Sequence, residues 1–290
     1  MIGWLFIVLA AWQQYGATSN PLTREEVELG RALFCDERLS RDGSIACATC
    51  HDPHRAFTDG RARAEGVAGA KGERNTPTLI NRAYGTLHFW DGRAATLEQQ
   101  VLEPIANPKE MGSTVEEAAS RVGLNPGELA AALASYVRTI RSDESPYDRF
   151  LKGAVEFTET QRLGLELFNG RGNCHACHSG SNLTDEAFHN TGVAWRQGRL
   201  EDEGRFAITG KPYHHGAFKT PTLREVEHTA PYMHDGNLAT LEDVVEYYDR
   251  GGNRNPNLDP DIRPLHLTAE EKRALVAFLR TLSGTVREGY

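Results

Sequence analysis

Two short stretches of the 290-residue chain decide its fold: Cys47-Ala48-Thr49-Cys50-His51 and Cys174-His175-Ala176-Cys177-His178. Each has the spacing C-x-x-C-H, in which two thiols add to the vinyl groups of a haem and the histidine lies beneath the iron. The pattern therefore predicts two covalently bound c-type haems. The predicted attachment points are Cys47, Cys50, Cys174 and Cys177, and the predicted proximal iron ligands are His51 and His178.

Other uses of paired cysteines compete with haem. A structural zinc site could take all four cysteines, and an exported chain could close each pair as a disulfide. A thioredoxin-like redox motif shares the spacing, but it is expected beside a βαβ pattern, and neither pentad has one. None of the three explains a histidine directly after each pair, so haem attachment is favoured. The fifth cysteine, Cys35, ends an apolar helical stretch and is expected to be a buried free thiol.

Composition limits the class of protein. Hydrophobic residues make up 39% of the chain, enough for a sizeable core, and the net charge of −8 argues against a nucleic-acid partner. The apolar run at residues 1–12 matches the hydrophobic part of a signal peptide, the alternative being a buried first helix. Residues 1–20 are therefore a predicted signal segment, and the predicted location is the periplasm. Since no run reaches the length of a membrane helix, we expect no integral membrane domain.

The flanks of the two pentads repeat each other. Thr-Pro-Thr-Leu at residues 76–79 recurs at 220–223, and Asp91-Gly92 recurs as Asp235-Gly236, each 144 residues later. A capped helix precedes each pentad, with cap signals at Thr23 and Thr158, and an amphipathic helix ends each half. The sequence therefore predicts an all-α fold of two cytochrome c-like mono-haem domains related by internal duplication, at residues 21–145 and 146–290.

The two halves differ where a second axial ligand would come from. The same offset places Tyr248 opposite Pro104. A tyrosinate can ligate ferric iron and proline cannot, so we expect one six-coordinate haem and one open haem. Tyr247 is the alternative ligand. An open position is what a catalyst needs, whereas a pure electron carrier does not need one.

Two polar residues flank Pro104. Glu110 could take the first proton of a peroxide and return it to the leaving oxygen, and Gln100 could hydrogen-bond the bound oxygens. The alternative for each is an ordinary exposed polar side chain.

Several further motifs carry a resemblance to a known family. They are Arg74–Thr78, Phe89–Arg93, Asn107–Met111, His189–Gly192 and Thr229–Gly236. With the two pentads, they make the chain similar to the bacterial di-haem cytochrome c peroxidase/MauG family over nearly its whole length after residue 20. The resemblance implies a high-spin peroxidatic haem on His51 and a six-coordinate haem on His178.

The resemblance also implies roles for other side chains. It places Trp90 between the haems as an electron relay, and Gln100 and Glu110 in the peroxide pocket beside Pro104. It further implies one Ca²⁺ bound by the Asn75 side chain and by the backbone carbonyls of Thr229 and Pro231.

The chain departs from the family pattern at three places. Many family peroxidases have methionine where Tyr248 stands, which makes this chain a MauG-like member. Val67 stands where those peroxidases carry a capping histidine, so the first haem is expected to be open when oxidised. Arg171-Gly172-Asn173 stands where MauG has a surface tryptophan, and Trp195 is the nearest substitute.

The resulting hypothesis is a di-haem peroxidase. It would reduce hydrogen peroxide through a high-valent haem pair, with electrons from a small redox protein, either a c-type cytochrome or a cupredoxin. One alternative is a MauG-like enzyme that oxidises tryptophan or tyrosine side chains of a partner protein. The other is a non-catalytic di-haem electron carrier.

Overall fold

Helices dominate the computed structural model, which describes residues 20 and 22–289. The rest of the predicted signal segment at residues 1–20 lies outside the described residues. The helices are Arg24–Phe34 (α1), Cys47–Cys50 (α2), Leu97–Gln100 (α3), Glu103–Ala106 (α4), Val115–Arg121 (α5), Pro126–Thr139 (α6), Pro146–Leu151 (α7), Glu159–Asn169 (α8), Phe206–Thr209 (α9), Leu241–Asp249 (α10) and Ala269–Leu279 (α11). Within the described ranges, no helix is both long and apolar enough to span a bilayer.

The strands are short and form antiparallel pairs. They are Arg141–Asp143 (β1), Phe188–His189 (β2), Trp195–Arg196 (β3), Arg199–Leu200 (β4), Phe218–Lys219 (β5) and Thr285–Arg287 (β6). β1 pairs with β6, β2 with β5, and β3 with β4. The expectation of a helical fold is confirmed, and these strand pairs, which the sequence did not predict, fasten the loops between helices.

The predicted helix starts before the pentads are confirmed. The Thr23 hydroxyl accepts a hydrogen bond from the Glu26 backbone N–H at 3.2 Å, which caps α1. The Thr158 hydroxyl accepts one from Gln161 at 3.2 Å, and the Gln161 side chain in turn accepts from the Thr158 N–H at 3.0 Å. Each cap satisfies donors that the first turn of a helix leaves free.

In each half, two helices cross at a glycine. A Cβ on Gly30 of α1 would lie 1.9 Å from the carbonyl oxygen of Ala132 in α6. A Cβ on Gly164 of α8 would lie 2.0 Å from the carbonyl oxygen of Ala274 in α11. Any side chain larger than hydrogen would push the backbones apart, so each crossing requires glycine. The two crossings have the same geometry.

Two hydrophobic clusters surround these crossings. The first contains Phe34, whose ring packs 5.0 Å from that of Tyr136. The second contains Phe168, whose ring lies 5.0 Å from that of Phe278. Each cluster buries the helix that precedes one pentad. Each pentad therefore follows a packed pair of helices and not a free loop.

The end of the chain returns to the first cluster. β6 pairs with β1, and Val286 packs against the first cluster. The carboxylate of Glu288 accepts from the Tyr136 hydroxyl and pairs with Arg31 at 3.0 Å. These residues join the two halves, and the predicted boundary between residues 145 and 146 stays a prediction.

Candidate active site

One cavity contains most of the predicted site residues. Its volume is about 690 Å³. Of the predicted residues, it is lined by Cys50, His51, Asn75, Trp90, Gln100, Pro104, Glu110, Cys174, Cys177, His178, Thr229, Pro231 and Tyr248. Cys47 is half-buried beside the first hydrophobic cluster. Residues far apart in sequence are thus brought to one space between the halves.

Both motif histidines are held in the same way. His51 Nδ1 lies 3.0 Å from the Phe57 carbonyl oxygen, and His178 Nδ1 lies 3.1 Å from that of Leu183. Both carbonyls belong to residues with positive φ, +57° at Phe57 and +52° at Leu183. Burial lowers the pKa of both imidazoles, so they are neutral near pH 7. A neutral imidazole donating from Nδ1 leaves Nε2 as the metal-binding atom.

Within the described residues, no disulfide joins the cysteines of the pentads, and all four are half-buried. Among the residues that the structure describes, the only three-residue group with metal-ligand spacing is Cys177, Asp185 and His189. The four cysteines are therefore not gathered into one zinc site.

The prediction for Cys35 was wrong. Its thiol is exposed, whereas it was expected to be buried. The buried stripe of α1 consists of Val27, Gly30, Leu33 and Phe34, and the helix ends at Phe34. Cys35 follows as the C-terminal cap residue and lies off that stripe.

Glu110 is the acidic group on the His51 side of the cavity. The side-chain amide of Asn107 donates to Glu110 Oε1 at 2.7 Å. Burial raises the pKa of Glu110, and the positive charge of Arg93 works in the opposite direction. Such a carboxyl group keeps its proton to a higher pH than an exposed one, which suits a group that takes up and returns a proton.

Gln100 and Pro104 line the same side. The Gln100 side chain makes no hydrogen bond to another residue of the described chain, so its amide is available to a ligand in the cavity. Pro104 offers no ligand atom in its side chain. Among the described residues, this side therefore has an acid and an amide, and the residue that matches Tyr248 has no side-chain atom that binds iron.

Tyr248 and Tyr247 have different surroundings on the His178 side. Tyr248 lines the cavity, and burial raises the pKa of its hydroxyl, with the neighbouring Tyr247 adding to the effect. The Tyr247 hydroxyl donates to the Thr191 carbonyl at 2.9 Å, and Tyr247 does not line the cavity. The geometry favours Tyr248, and its ligation of iron stays a prediction.

Trp90 lies at the junction of the halves. Its indole N–H donates to the Asn75 carbonyl at 2.9 Å. The Lys219 N–H donates to the Trp90 carbonyl at 2.8 Å, and the Asn75 N–H donates to the His234 carbonyl at 2.7 Å. The indole is thus bonded within its own half, and the Trp90 backbone is bonded to the other half.

The three predicted calcium ligands line the same cavity. The Asn75 side chain is buried, and its NH₂ donates to the Arg61 carbonyl at 2.8 Å, which directs the amide oxygen away from that bond. Across the described residues, neither this oxygen nor the carbonyl oxygens of Thr229 and Pro231 accept a hydrogen bond. Amide and backbone carbonyl oxygens of this kind are among the ligands that Ca²⁺ accepts.

Val67 packs against the Glu110 loop. It is 2% exposed, and its N–H donates to the Glu110 carbonyl at 2.8 Å. A Cβ on the neighbouring Gly66 would lie 2.2 Å from the Lys109 carbonyl oxygen. The loop that was predicted to lack a capping histidine is therefore tied to the backbone that carries Glu110.

Comparisons with known proteins agree with this geometry. The family profile described as di-haem cytochrome c peroxidase matches residues 24–156. The chain is 41% identical to the methylamine utilization protein MauG of Methylorubrum extorquens, across 91% of this chain and 80% of the relative. It is 35% identical to the cytochrome c551 peroxidase of Nitrosomonas europaea, across 91% and 82%. The chain belongs to the di-haem cytochrome c peroxidase/MauG family.

A solved structure shows the same likeness. A MauG-like protein associated with microbial copper homeostasis superimposes with a TM-score of 0.86 at 34% identity, over 91% of each chain. The family carries two c-type haems, which fits the two pentads, the free Nε2 atoms and the shared cavity.

The sequence did not point to every side chain at this di-haem peroxidase site. Arg93 lies 3.4 Å above the Phe89 ring, and its Nε donates to Glu103 at 2.6 Å. Arg82 and Lys219 also line the cavity, and both pair with Glu186. Arg93 lies within the family motif Phe89–Arg93, and Lys219 directly precedes the repeated Thr-Pro-Thr-Leu at residues 220–223, so both had a signal in the sequence. Nothing in the sequence pairs Arg82 with Glu186.

Proposed function

We propose that the protein is a di-haem peroxidase that reduces hydrogen peroxide with electrons from a small redox protein. One observation carries this proposal: a single cavity holds both proximal histidines, with Glu110 and Pro104 on one side and Tyr248 on the other. An acid next to a haem without a distal ligand is a catalytic arrangement, whereas a carrier has no use for it.

The proposal includes a division into two mono-haem domains, residues 21–145 and 146–290. The matched crossings at Gly30 and Gly164 support it, as do the matched histidine contacts. The hydrogen bond from Asn75 to His234 is matched by the one from Lys219 to Trp90. In the two bonds, each donor and each acceptor lies 144 residues from its counterpart. Duplication explains why the same backbone contacts occur twice.

Bound haem supplies the electron transfer that cleaves the O–O bond. The protein's own part is proton movement and positioning. Glu110 takes the proton of the incoming peroxide on the oxygen that Asn107 does not occupy, and it returns this proton to the leaving oxygen. The Gln100 amide orients the peroxide oxygens. Trp90, between the two halves, carries the electron that the second haem contributes.

The electron donor is proposed to be a c-type cytochrome or a cupredoxin, and the location the periplasm. The absence of a bilayer-spanning helix from the described chain and the net charge of −8 are compatible with such a partner. We also propose one Ca²⁺ at Asn75, Thr229 and Pro231, because the three oxygens lie free on one cavity wall.

A second candidate is the oxidation of tryptophan or tyrosine side chains of a partner protein. The identity to MauG and the tyrosine at position 248 favour it. Arg171, where MauG would place a surface tryptophan, pairs instead with Glu271. Trp195 in β3 is half-buried, with its carbonyl bonded to Asn253 at 3.0 Å, and does not line the cavity. We therefore rank this function second.

Resting-state EPR with a peroxide titration tests the proposal. We expect one high-spin and one low-spin ferric haem, and turnover of peroxide with a reduced c-type cytochrome or cupredoxin. Two low-spin haems that do not respond to peroxide would leave only the electron carrier. Oxidation of a partner protein without turnover of the reduced donor would favour the second candidate.

A further inference from the structure

The two halves meet through one backbone arrangement that occurs twice. The Asn75 N–H donates to the His234 carbonyl, and the Lys219 N–H, 144 residues later, donates to the Trp90 carbonyl, which matches His234. The turns beside them also match. The His88 N–H donates to the Ala94 carbonyl at 2.9 Å, and the Tyr232 N–H donates to the Leu238 carbonyl at 2.7 Å.

One copy of this arrangement presents the proposed calcium ligands: Asn75, Thr229 and Pro231. The matching positions in the other copy are Lys219, Gly85 and Leu87. The two backbone carbonyls are thus retained, but the neutral amide is replaced by an amine. An amine supplies no oxygen ligand, so the second copy cannot bind calcium in the same way.

A guanidinium occupies the second copy. Arg82 Nη2 donates to the Leu87 carbonyl oxygen at 2.9 Å. A Cβ on Gly85 would lie 1.9 Å from the same nitrogen, so the guanidinium packs directly on this glycine. Arg82 is buried, with 9% of its surface exposed. In the first copy, the matching carbonyl of Pro231 receives no donor from the described residues.

A carboxylate balances the charge of this group. Glu186 accepts two hydrogen bonds from Arg82, at 2.8 and 3.1 Å, and its Oε1 lies 3.3 Å from Lys219 Nζ. Glu186 follows Thr184-Asp185 as Gly60 follows Thr58-Asp59, and both have positive φ, +55° and +67°. The first copy has no side chain at this place. The carboxylate is therefore present only in the second copy, where the guanidinium of Arg82 lies.

We propose that Arg82, held with Lys219 by Glu186, is an internal cation that fills the second copy of the calcium site. The proposal rests on the proposed calcium site at Asn75. It implies that one chain binds one Ca²⁺ and not two. It also implies that a chelator removes the charge from one side of the junction only, since the other cation is part of the chain.

Metal analysis of the di-haem protein tests the proposal. The wild type should hold one Ca²⁺ per chain after equilibration with calcium and gel filtration. Arg82→Ala with Lys219→Asn leaves Glu186, an amide and two carbonyls as an oxygen site, and this double variant should hold two. Arg82→Lys keeps the cation and should hold one. A wild type with two ions, or a folded double variant with no gain, would overturn the proposal.

Asn75→Lys is the mirror variant and tests the other copy. It should hold no Ca²⁺ while it keeps both haems. If Asn75→Lys still holds one ion, the proposed calcium site is wrong. The extra Ca²⁺ expected in the double variant still tests whether Arg82 is an internal cation. Should the double variant unfold without calcium, its melting temperature should rise with added CaCl₂ and not with MgCl₂; no such rise counts against the internal cation.

Discussion

The two halves of the molecule have matching backbones and different side chains at the cavity. Helix crossings, histidine contacts and junction hydrogen bonds occur in pairs, at Gly30 and Gly164 and at Asn75 and Lys219. The cavity positions differ: Pro104 matches Tyr248, and Trp90 matches His234. The comparison teaches that one backbone arrangement occurs twice, and that the two copies differ in the side chains that line the cavity.

Trp90 and His234 show how one position acquires different properties. Trp90 presents an indole to the cavity with its N–H bonded to Asn75. His234 stacks on Phe218, with ring centroids 3.7 Å apart, and burial lowers its pKa to about 4. A neutral, stacked imidazole is a structural element of the junction, whereas the indole is the more easily oxidised ring of the two.

Of all the changes that test how the two sides of the cavity differ, the removal of the Glu110 carboxylate is expected to have the largest effect. Glu110→Gln should slow peroxide cleavage by roughly 10²–10⁴-fold, the range for a positioned general acid–base group, with both haems still bound. Stopped-flow mixing with peroxide measures the rate. Glu116→Gln changes an exposed carboxylate on α5 and serves as the control.

The pH dependence adds a second readout for Glu110. The carboxylate must be ionised to accept the peroxide proton, and burial raises its pKa. The wild-type rate should therefore fall as the pH drops through this raised pKa, and the fall should be missing from Glu110→Gln. A wild-type rate in the variant would show that another group moves the proton.

Removing the predicted ligand should make the two halves more alike. Tyr248→Phe deletes the only oxygen that distinguishes this residue from phenylalanine, so the low-spin ferric signal should change or disappear. EPR and optical spectra of the resting protein measure it. Tyr247→Phe breaks the bond to the Thr191 carbonyl and should leave the spectrum unchanged. The reverse result would make Tyr247 the ligand.

A matched pair of variants tests the shared backbone. Gly30→Ala and Gly164→Ala each place a Cβ within about 2 Å of a carbonyl oxygen, and each should lower the free energy of unfolding by roughly 1–3 kcal/mol. Gly127→Ala, whose Cβ would meet its nearest atom at 3.2 Å, should be close to neutral. Denaturant titration of the three variants gives the comparison. If only one crossing tolerates alanine, the halves are packed differently.

The sequence predicted what depends on local spacing. The pentads and the helix caps at Thr23 and Thr158 are readable within short windows, and the match between Pro104 and Tyr248 follows from the 144-residue repeat. The pairing of Arg82 with Glu186 joins residues 104 positions apart, and no local pattern encodes it. The positions of Gln100 and Glu110 beside Pro104 suggested their proposed roles, and the family resemblance favoured these roles over those of ordinary exposed polar side chains.

Substitution of Cys35 is expected to have the smallest effect on the peroxide rate, and the same residue reports how many cysteines are attached to haem. Its counterpart in the second half is Asn169, which follows Phe168 as Cys35 follows Phe34. The di-haem protein should react with one equivalent of a maleimide per chain, since the other four thiols are predicted to be thioethers and Cys35 is exposed. Cys35→Ser should react with none and keep the wild-type peroxide rate. More than one reactive thiol in the wild type would mean that a pentad is not fully attached, and a loss of rate in Cys35→Ser would give this asymmetric residue a function that the cavity geometry does not explain.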